Sequence, residues 1–499
     1  MCEFQLRGVS ILFFHRCGRM NLYITLVVLN SLLGTSPAKA GTINSSIITS
    51  KHGLPLLFNH IQRSTFNYFW DTANPTNGLV PDNWPGSSTS SIAAVGFALS
   101  AYPIGVERGY ITREQAIQRV LVTLRFFHNA PEGPQAQGMT GYHGFFYHWL
   151  NLTTGARVGH SEVSTIDTSL LLGGVLFSEQ YFDRDTPQER EIRKLAKDIY
   201  DRVDWPWMQH DAPLISMAWR PGSGFVKANW QGLNEGMILY VLAIGSPTHP
   251  ISGNAWAAWA KTYPRTWGQF YGRMQLGFGP LFGHQYSEAW IDFRGIQDAF
   301  MRRHHLTYFK NSQRATESQR SYAIANPEHW TGYGPNIWGL TACDGPGRFT
   351  VKAANGQVQT FRGYSARGMT VHHWHSFDDG TIAPTAALSS IAFAPKIVIP
   401  AAEAMYKQYG TYLYGRFGFK DAFNPSFIDT HAKLRSGKVI SGVGWFDNRY
   451  LSIDEGPIVL MIQNYRDGLV WRYMRRSPAI RRGLLRAGFR GGWLRHPAR

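Results

Sequence analysis

Residues 164–203 read STIDTSLLLGGVLFSEQYFDRDTPQEREIRKLAKDIYDRV. Two helices of opposite kinds follow each other here. The first, 164–182, is apolar on nearly every side, and such a helix has to be surrounded by protein. The second is expected to open with Thr186 as its cap, Pro187 in the first turn and Glu189 returning the bond. Ile192, Leu195, Ile199 and Val203 make one apolar stripe. This helix lies on something with that stripe and turns its other face to water.

The alternation recurs along the chain. Segments apolar all round are 89–102, 164–182, 234–245, the region of 282–291, 385–394 and 454–465. Amphipathic segments are 54–70, 112–128, 186–203, 252–263, 296–320 and 396–408. In TREQAIQRVLVTLRFFH (112–128), Thr112 and Gln115 have capping-box spacing. Six enclosed helices ringed by six amphipathic ones predict an all-α fold, an (α/α)6 toroid of one domain. Its loops are long (129–163, 204–233, 325–384), and loops of that length in a compact domain usually carry function. A small β-hairpin insertion is expected in GRFTVKAANGQVQTFRGYSA (347–366), around its Asn-Gly turn.

The chain has 499 residues and a formal charge of +17. That charge is concentrated at the ends. Residues 472–499 hold nine arginines and no acid, and residues 1–40 are net +3, which leaves +5 for 41–471. No nucleic-acid surface is expected in the fold. LYITLVVLNSLL (22–33) is too short to span a bilayer but suits a signal-peptide core, with Arg16 and Arg19 before it and Ala38-x-Ala40 after it. The expected organisation is a signal peptide at 1–40, the toroid at 41–476 and a basic, disordered tail at 477–499. The mature protein would be periplasmic or secreted, monomeric and not inserted in a membrane. Only Cys343 would remain of the three cysteines, so no internal disulfide can form.

In a toroid the inner helices run the same way, so their N-terminal ends share one mouth. Polar residues recur there: Asp82 and Trp84, Glu162 and Asp167, Trp230, Asn234 and Glu235. Further along are His284, Gln285 and Glu288, then Asp378 and Asp379, then Asp454 and Glu455. Acidic residues at helix starts are also ordinary capping chemistry. Aromatic residues beside them point further, to a sugar cleft. Sugars pack their C–H faces on aromatic rings and bond their hydroxyls to polar side chains. Glycoside hydrolysis needs one carboxylic acid to protonate the leaving oxygen and a second carboxylate to activate water or attack. Glu235, at the start of an apolar helix and behind Trp230, fits the acid by environment. Asp167, Asp378, Asp379, Asp454 and Glu455 are the possible partners. Trp84, Trp230, Trp338, Trp374 and Trp445 are candidate stacking platforms, and Arg220 a candidate hydroxyl ligand. HHWH (372–375) with His304 and His305 matches no zinc motif, so neither metal nor cofactor is expected.

Several stretches carry a resemblance: SEVSTIDTSLLLGGVLF, MAWRPGSGF, WQGLNEGMILYVLAIGSPTHPI, LFGHQYSEAWIDFRGIQD, DDGTIAPTAALSSIAFAPKI and GWFDNRYLSIDEGPIVLMIQNYRDGLVW. Over about residues 55–476 they resemble the bacterial glucoamylase-like family. That family includes endo-β-1,2-glucanases and is similar to a domain of cyclic β-1,2-glucan synthases. The resemblance implies an (α/α)6 toroid with a central cavity. It aligns Glu235 with the glutamate of an N/S-E-x-M-I-L motif, the candidate catalytic acid, and Asp167 with an acidic position of β-1,2-glucanases. The chain departs at Ser164, where those enzymes carry a second acid. It also departs at Glu288 and Glu455, where the family often has His and Gln. The expectation is an exported glycoside hydrolase acting on a β-glucan, with β-1,2-glucan among the candidates. A glucan transglycosylase and a non-catalytic glucan-binding envelope protein stay open beside it.

Overall fold

The structure is a computed structural model that describes residues 5–6, 9–10, 53–210, 213–371 and 374–496. The expected signal-peptide core and cleavage site lie outside the described residues. Among the described residues no helix is long and apolar enough to cross a membrane.

Helices alternate as expected. The first half contains α1 (Leu56–Thr72), α2 (Ile92–Glu107), α3 (Arg113–His128), α4 (Thr165–Tyr181), α5 (Pro187–Asp201) and α6 (Met237–Gly245). The second contains α7 (Phe282–Trp290), α8 (Tyr308–Ala325), α9 (Pro384–Leu388), α10 (Pro395–Leu413), α11 (Ser452–Asp467) and α12 (Pro478–Arg486). The inner ring is α2, α4, α6, α7, α9 and α11. All nine residues of α6 are buried, as an apolar helix requires.

Close backbone approach holds the ring. A Cβ on Gly174 of α4 would lie 2.1 Å from the Gly96 carbonyl oxygen of α2, and a Cβ on Gly96 would lie 2.2 Å from that of Leu170. Only glycine lets these two helices meet so tightly. Ser287 of α7 bonds α6, accepting from Ile238 N–H at 3.0 Å and donating to the Glu235 carbonyl at 2.6 Å. Gln285 of α7 reaches the Ala386 carbonyl of α9 at 2.8 Å and Ser390 at 2.8 Å. Ser452 closes the ring by donating both its N–H and its hydroxyl to the Asp82 carbonyl, at 3.0 and 2.9 Å. Beside it Tyr450–Leu451 pairs antiparallel with Asn83–Trp84.

Thr112 and Gln115 form the complete capping box. Thr186 also caps α5, accepting from Glu189 N–H, but Glu189 does not return the bond. Its carboxylate is forked onto Arg113 of α3 at 2.8 Å through both oxygens, a stronger charge-assisted contact than a neutral cap bond. The inserted hairpin pairs Phe349–Lys352 with Val358–Phe361, turning through Gly356 at φ +85°. The expected fifth inner helix is helical only over Pro384–Leu388 and continues as turns.

The C-terminal tail departs most from expectation. The helix that covers α6 is α12, in place of the short helix Asn254–Trp259. Ala479, Ile480, Gly483 and Leu484 are buried, and a Cβ on Gly483 would lie 2.0 Å from the Val241 carbonyl oxygen. Arg482 and Arg486 donate to the carbonyls of Gly245 and Ile244 at 2.7 and 3.3 Å. They satisfy and neutralise the C-terminal end of α6. Arg490–Gly491 then pairs with Ile296–Gln297. The expected boundary at 476 therefore cuts through the fold. The arginines gave the segment a disordered look, while four small or apolar residues at helical spacing hold it down.

Two variants test this. Leu484→Ala is expected to cost about 2–5 kcal/mol by urea unfolding, and removal of 477–499 to lower the melting temperature. Unchanged stability in both would return this segment to a solvated tail.

Candidate active site

The mouth of the ring gathers carboxylates from several loops. Glu235 sits in the turn before α6, half-buried, with its backbone fixed by Ser287. Asn234 stiffens the turn, its Oδ1 accepting from Gly236 N–H at 2.9 Å. Burial raises the Glu235 pKa to about 7, and the nearby Asp167 carboxylate adds to the rise.

Asp167 lies in the first turn of α4 and takes a 2.5 Å hydrogen bond from Ser164. The small residue at 164 is thus a partner for Asp167, where a second acid would repel it. Burial raises the Asp167 pKa despite the opposing pull of His148. His148 itself was invisible to sequence reasoning. Its Nδ1 is 3.0 Å from Glu162 and its Nε2 is 3.7 Å from Asp167. Glu162 also takes Arg220 at 3.2 Å. Burial works against both charges. Even so, the imidazole pKa stands at about 9 under the pull of Asp167 and Glu162, and the hydrogen bond from His148 holds Glu162 down at about 2. Asp82 faces the same imidazole, its pKa raised by burial.

A second group joins Asp454 of α11, expected at the mouth, to three aspartates in loops whose sequences gave no signal. Asp344 bonds Asp421 through its backbone N–H at 2.6 Å and receives the Arg449 guanidinium. Asp447 and Asp454 stand close by. One oxygen each of Asp344, Asp421 and Asp447 lies within 4.8 Å of the others, the one metal-like spacing among the described residues. Arg449 already gives that group a cation. Burial, then neighbouring carboxylates (Asp454 and Asp344 for Asp421; Glu455, Asp344 and Asp82 for Asp454), push the pKa values of Asp421 and Asp454 up, and the hydrogen bond between the two makes them share protons as a unit. Asp421 Oδ1 and Asp454 Oδ2 are buried and take no N–H or hydroxyl from the described residues, which a bound polar ligand would relieve. Tyr286 of α7 links the groups: burial and the charges of Asp454, Glu235 and Asp421 all push its phenol up.

Other expected site residues stand elsewhere. Asp379 is fully buried and bidentate to Arg367 at 2.7 and 2.9 Å. Burial would raise its pKa, but Arg367 holds it below the ordinary carboxylate value. It anchors the loop and is corrected from catalyst to structural anchor. Asp378 is held by Tyr333 at 2.7 Å and Tyr322 at 2.8 Å, and burial brings its pKa to about 6. Glu455 turns to Thr65 of α1, and Glu288 takes Ser312 of α8 at 2.6 Å. Glu288 thus points between the inner and outer rings, while Glu455 stays in the field of Asp421 and Asp454. Gln285 is the brace described above. His284 is kept neutral, burial lowering its pKa to about 4. Trp338 and Trp445 are core residues, and Trp230 is buried with its indole donating to Thr165 at 2.9 Å. Trp84 packs edge-on to Phe417 at 5.1 Å and stays half-exposed. The side chain of Trp374 lies outside the described residues, as do His372 and His373.

A family model named Glycoamylase, described as "Putative glucoamylase", matches residues 227–478. The chain belongs to the glycoamylase family. Within it, the chain is 30% identical over 460 residues to an exo β-1,2-glucooligosaccharide sophorohydrolase (non-reducing end) of Parabacteroides distasonis. That match covers 86% of this chain, which spans 57% of the length of the curated relative. Among solved structures, one called a putative glucoamylase from Bacteroides uniformis superposes with a TM-score of 0.75 at 33% identity. It covers 88% of this chain and 98% of that one. An endo-β-1,2-glucanase from Chitinophaga pinensis, solved with sophorotriose and glucose, gives 0.74 at 29% identity and covers 88% and 99%. The glycoamylase toroid is therefore the fold of this chain, and these carboxylates stand at its mouth.

Arg367→Met would leave Asp379 buried without its cation, at an expected cost of about 3–5 kcal/mol. Asp379 is depressed in the folded state. Its contribution is therefore present above its unfolded value of 3.8 and lost as pH falls through the folded one. Urea unfolding should find the Arg367→Met deficit large at pH 7 and shrinking towards acid pH. A deficit independent of pH would remove Asp379 from the explanation.

Proposed function

We propose that this glycoamylase-family protein is an exported glycoside hydrolase acting on β-1,2-glucan, with Glu235 as the general acid. The observation that carries the reading is the state of Glu235. A half-buried carboxyl at the mouth, raised to about 7, can hold its proton near neutral pH and still release it to a leaving glycosidic oxygen. The two relatives named for β-1,2-glucan hydrolysis support the substrate class. The modest charge of 41–471 suits an uncharged glucan, and the sequence of 22–40 supports export.

The second carboxylate would come from the Asp421–Asp454 pair. One member of a proton-sharing pair stays ionised where both would not, and it can take a proton from the attacking water. Tyr286, whose phenol feels the charges of both the pair and Glu235, supports a reading in which the two groups act on one substrate. Asp167 and Asp82 line the same mouth and would orient sugar hydroxyls. Asp379, held by Arg367, takes no part.

Purified protein incubated with linear β-1,2-glucan should release short oligosaccharides. β-1,3-, β-1,4- and α-1,4-glucans should remain intact. Glu235→Gln should lower kcat by about 10²–10⁴-fold with its melting temperature retained. Because Glu235 must be protonated, kcat/KM should fall as pH rises through about 7. Wild-type turnover by Glu235→Gln would defeat the assignment of the acid. Products longer than the substrate would replace hydrolysis with transfer.

A further inference from the structure

We propose that His148 is a positioning residue, an imidazolium clamped between Glu162 and Asp167 that holds Asp167 as a carboxylate beside Glu235 and so keeps Glu235 in its acid form. The inference rests on the reading of Glu235 as general acid and adds the device that maintains it.

The geometry of the ring carries the argument. Nδ1 meets Glu162 Oε1 at 3.0 Å and Nε2 meets Asp167 Oδ1 at 3.7 Å. A neutral imidazole has one N–H and one bare lone pair, so one of its nitrogens would set that lone pair against a carboxylate oxygen. The doubly protonated ring turns an N–H to each, with a hydrogen bond to Glu162 and a longer ion pair to Asp167. The ring has little freedom to turn. It stacks on Trp149 with centroids 3.9 Å apart and planes 17° apart. Its backbone is tied by His148 N–H to the Glu162 carbonyl at 2.9 Å and by Ile92 N–H to the His148 carbonyl at 3.2 Å.

The charged groups facing it come from three elements. Asp82 stands on the segment before α2, Glu162 on the segment before α4, and Asp167 on α4 itself. Arg220 lies behind Glu162 and satisfies its other oxygen at 3.2 Å. Among the described residues Glu162 thus has two cations, while Asp167 has one, His148, together with the Ser164 hydroxyl at 2.5 Å. Burial pushes the Asp167 pKa up against the pull of the imidazolium, so removing the imidazolium moves it further up. The negative charge of Asp167 is the neighbouring charge that adds to the rise at Glu235. Losing it would let Glu235 release its proton at lower pH. A plain packing brace would have no such reach, because the link from Asp167 to Glu235 runs through charge.

The test compares pH profiles of kcat/KM for wild type, His148→Gln, Asp167→Asn and the double variant on the glucan the protein cleaves, beside Glu235→Gln. The alkaline limb of His148→Gln should move to lower pH by on the order of half a unit or more. Asp167→Asn should move it the same way, and the double variant no further than the larger single shift. A limb that stays in place or moves up in a folded His148→Gln protein overturns the proposal. Nitrogen-15 NMR of the wild-type His148 ring adds a readout that needs no turnover. The ring should be an imidazolium at pH 8, consistent with its raised pKa, and a neutral ring would overturn the proposal even if the variant did not fold. The two readings fail separately. An active Glu235→Gln protein defeats the assignment of the acid whatever the state of the ring. An inactive Glu235→Gln protein with an unmoved His148→Gln limb defeats only the role of His148.

Discussion

The ring closes where Ser452, the first residue of its last inner helix, gives both its N–H and its hydroxyl to the carbonyl of Asp82, before the first. Everything else in the fold leans on that closure. The inner helices are apolar on all sides, so each needs a neighbour on both flanks as well as an outer helix behind it. Gly96 and Gly174 let two of them touch backbone to backbone, Ser287 and Gln285 bond the next, and the Asp82–Ser452 contact joins the ends. A closed ring leaves the inner helices one polar surface, the turns at their N-terminal ends. Closing the chain therefore also brings the mouth together.

Electrostatics at that mouth divide into groups that are satisfied and groups that are not. Arg367 neutralises Asp379, and Arg220 with His148 neutralises Glu162. These pairs set the loops in place. Glu235 has no such cation, and burial pushes its proton on, while Asp421 and Asp454, beside the Arg449–Asp344 ion pair, share protons as a pair. Charged and proton-bearing carboxylates standing in one cleft are the arrangement from which acid and base roles are drawn.

Helical periodicity made the alternation of enclosed and amphipathic helices legible, and with it the ring. It failed at the fourth outer position, where α12 from the arginine-rich end replaces the short helix at 254–259. Nine arginines in 28 residues outweighed a stripe of only four buried residues. Within the site, Glu235, Asp167, Glu162 and Asp82 were legible because they open apolar helices. Asp344, Asp421 and Asp447 were not, because each lies in a loop whose local sequence has no period. His148 was hidden for the same reason, although the motif holding both of its carboxylate partners was in view. Glu288 shows the opposite error. A carboxylate in the first turns of an inner helix can point outward, and only the bond from Ser312 reveals which way.

The account turns on one proton, and the direct measurement is its titration. Infrared difference spectra between wild type and Glu235→Gln, taken across pH, isolate the carboxyl band of Glu235. The account predicts a midpoint near pH 7. A midpoint at the ordinary glutamate value of 4.5 would mean that neither burial nor Asp167 holds that proton, and would contradict Glu235 as the acid.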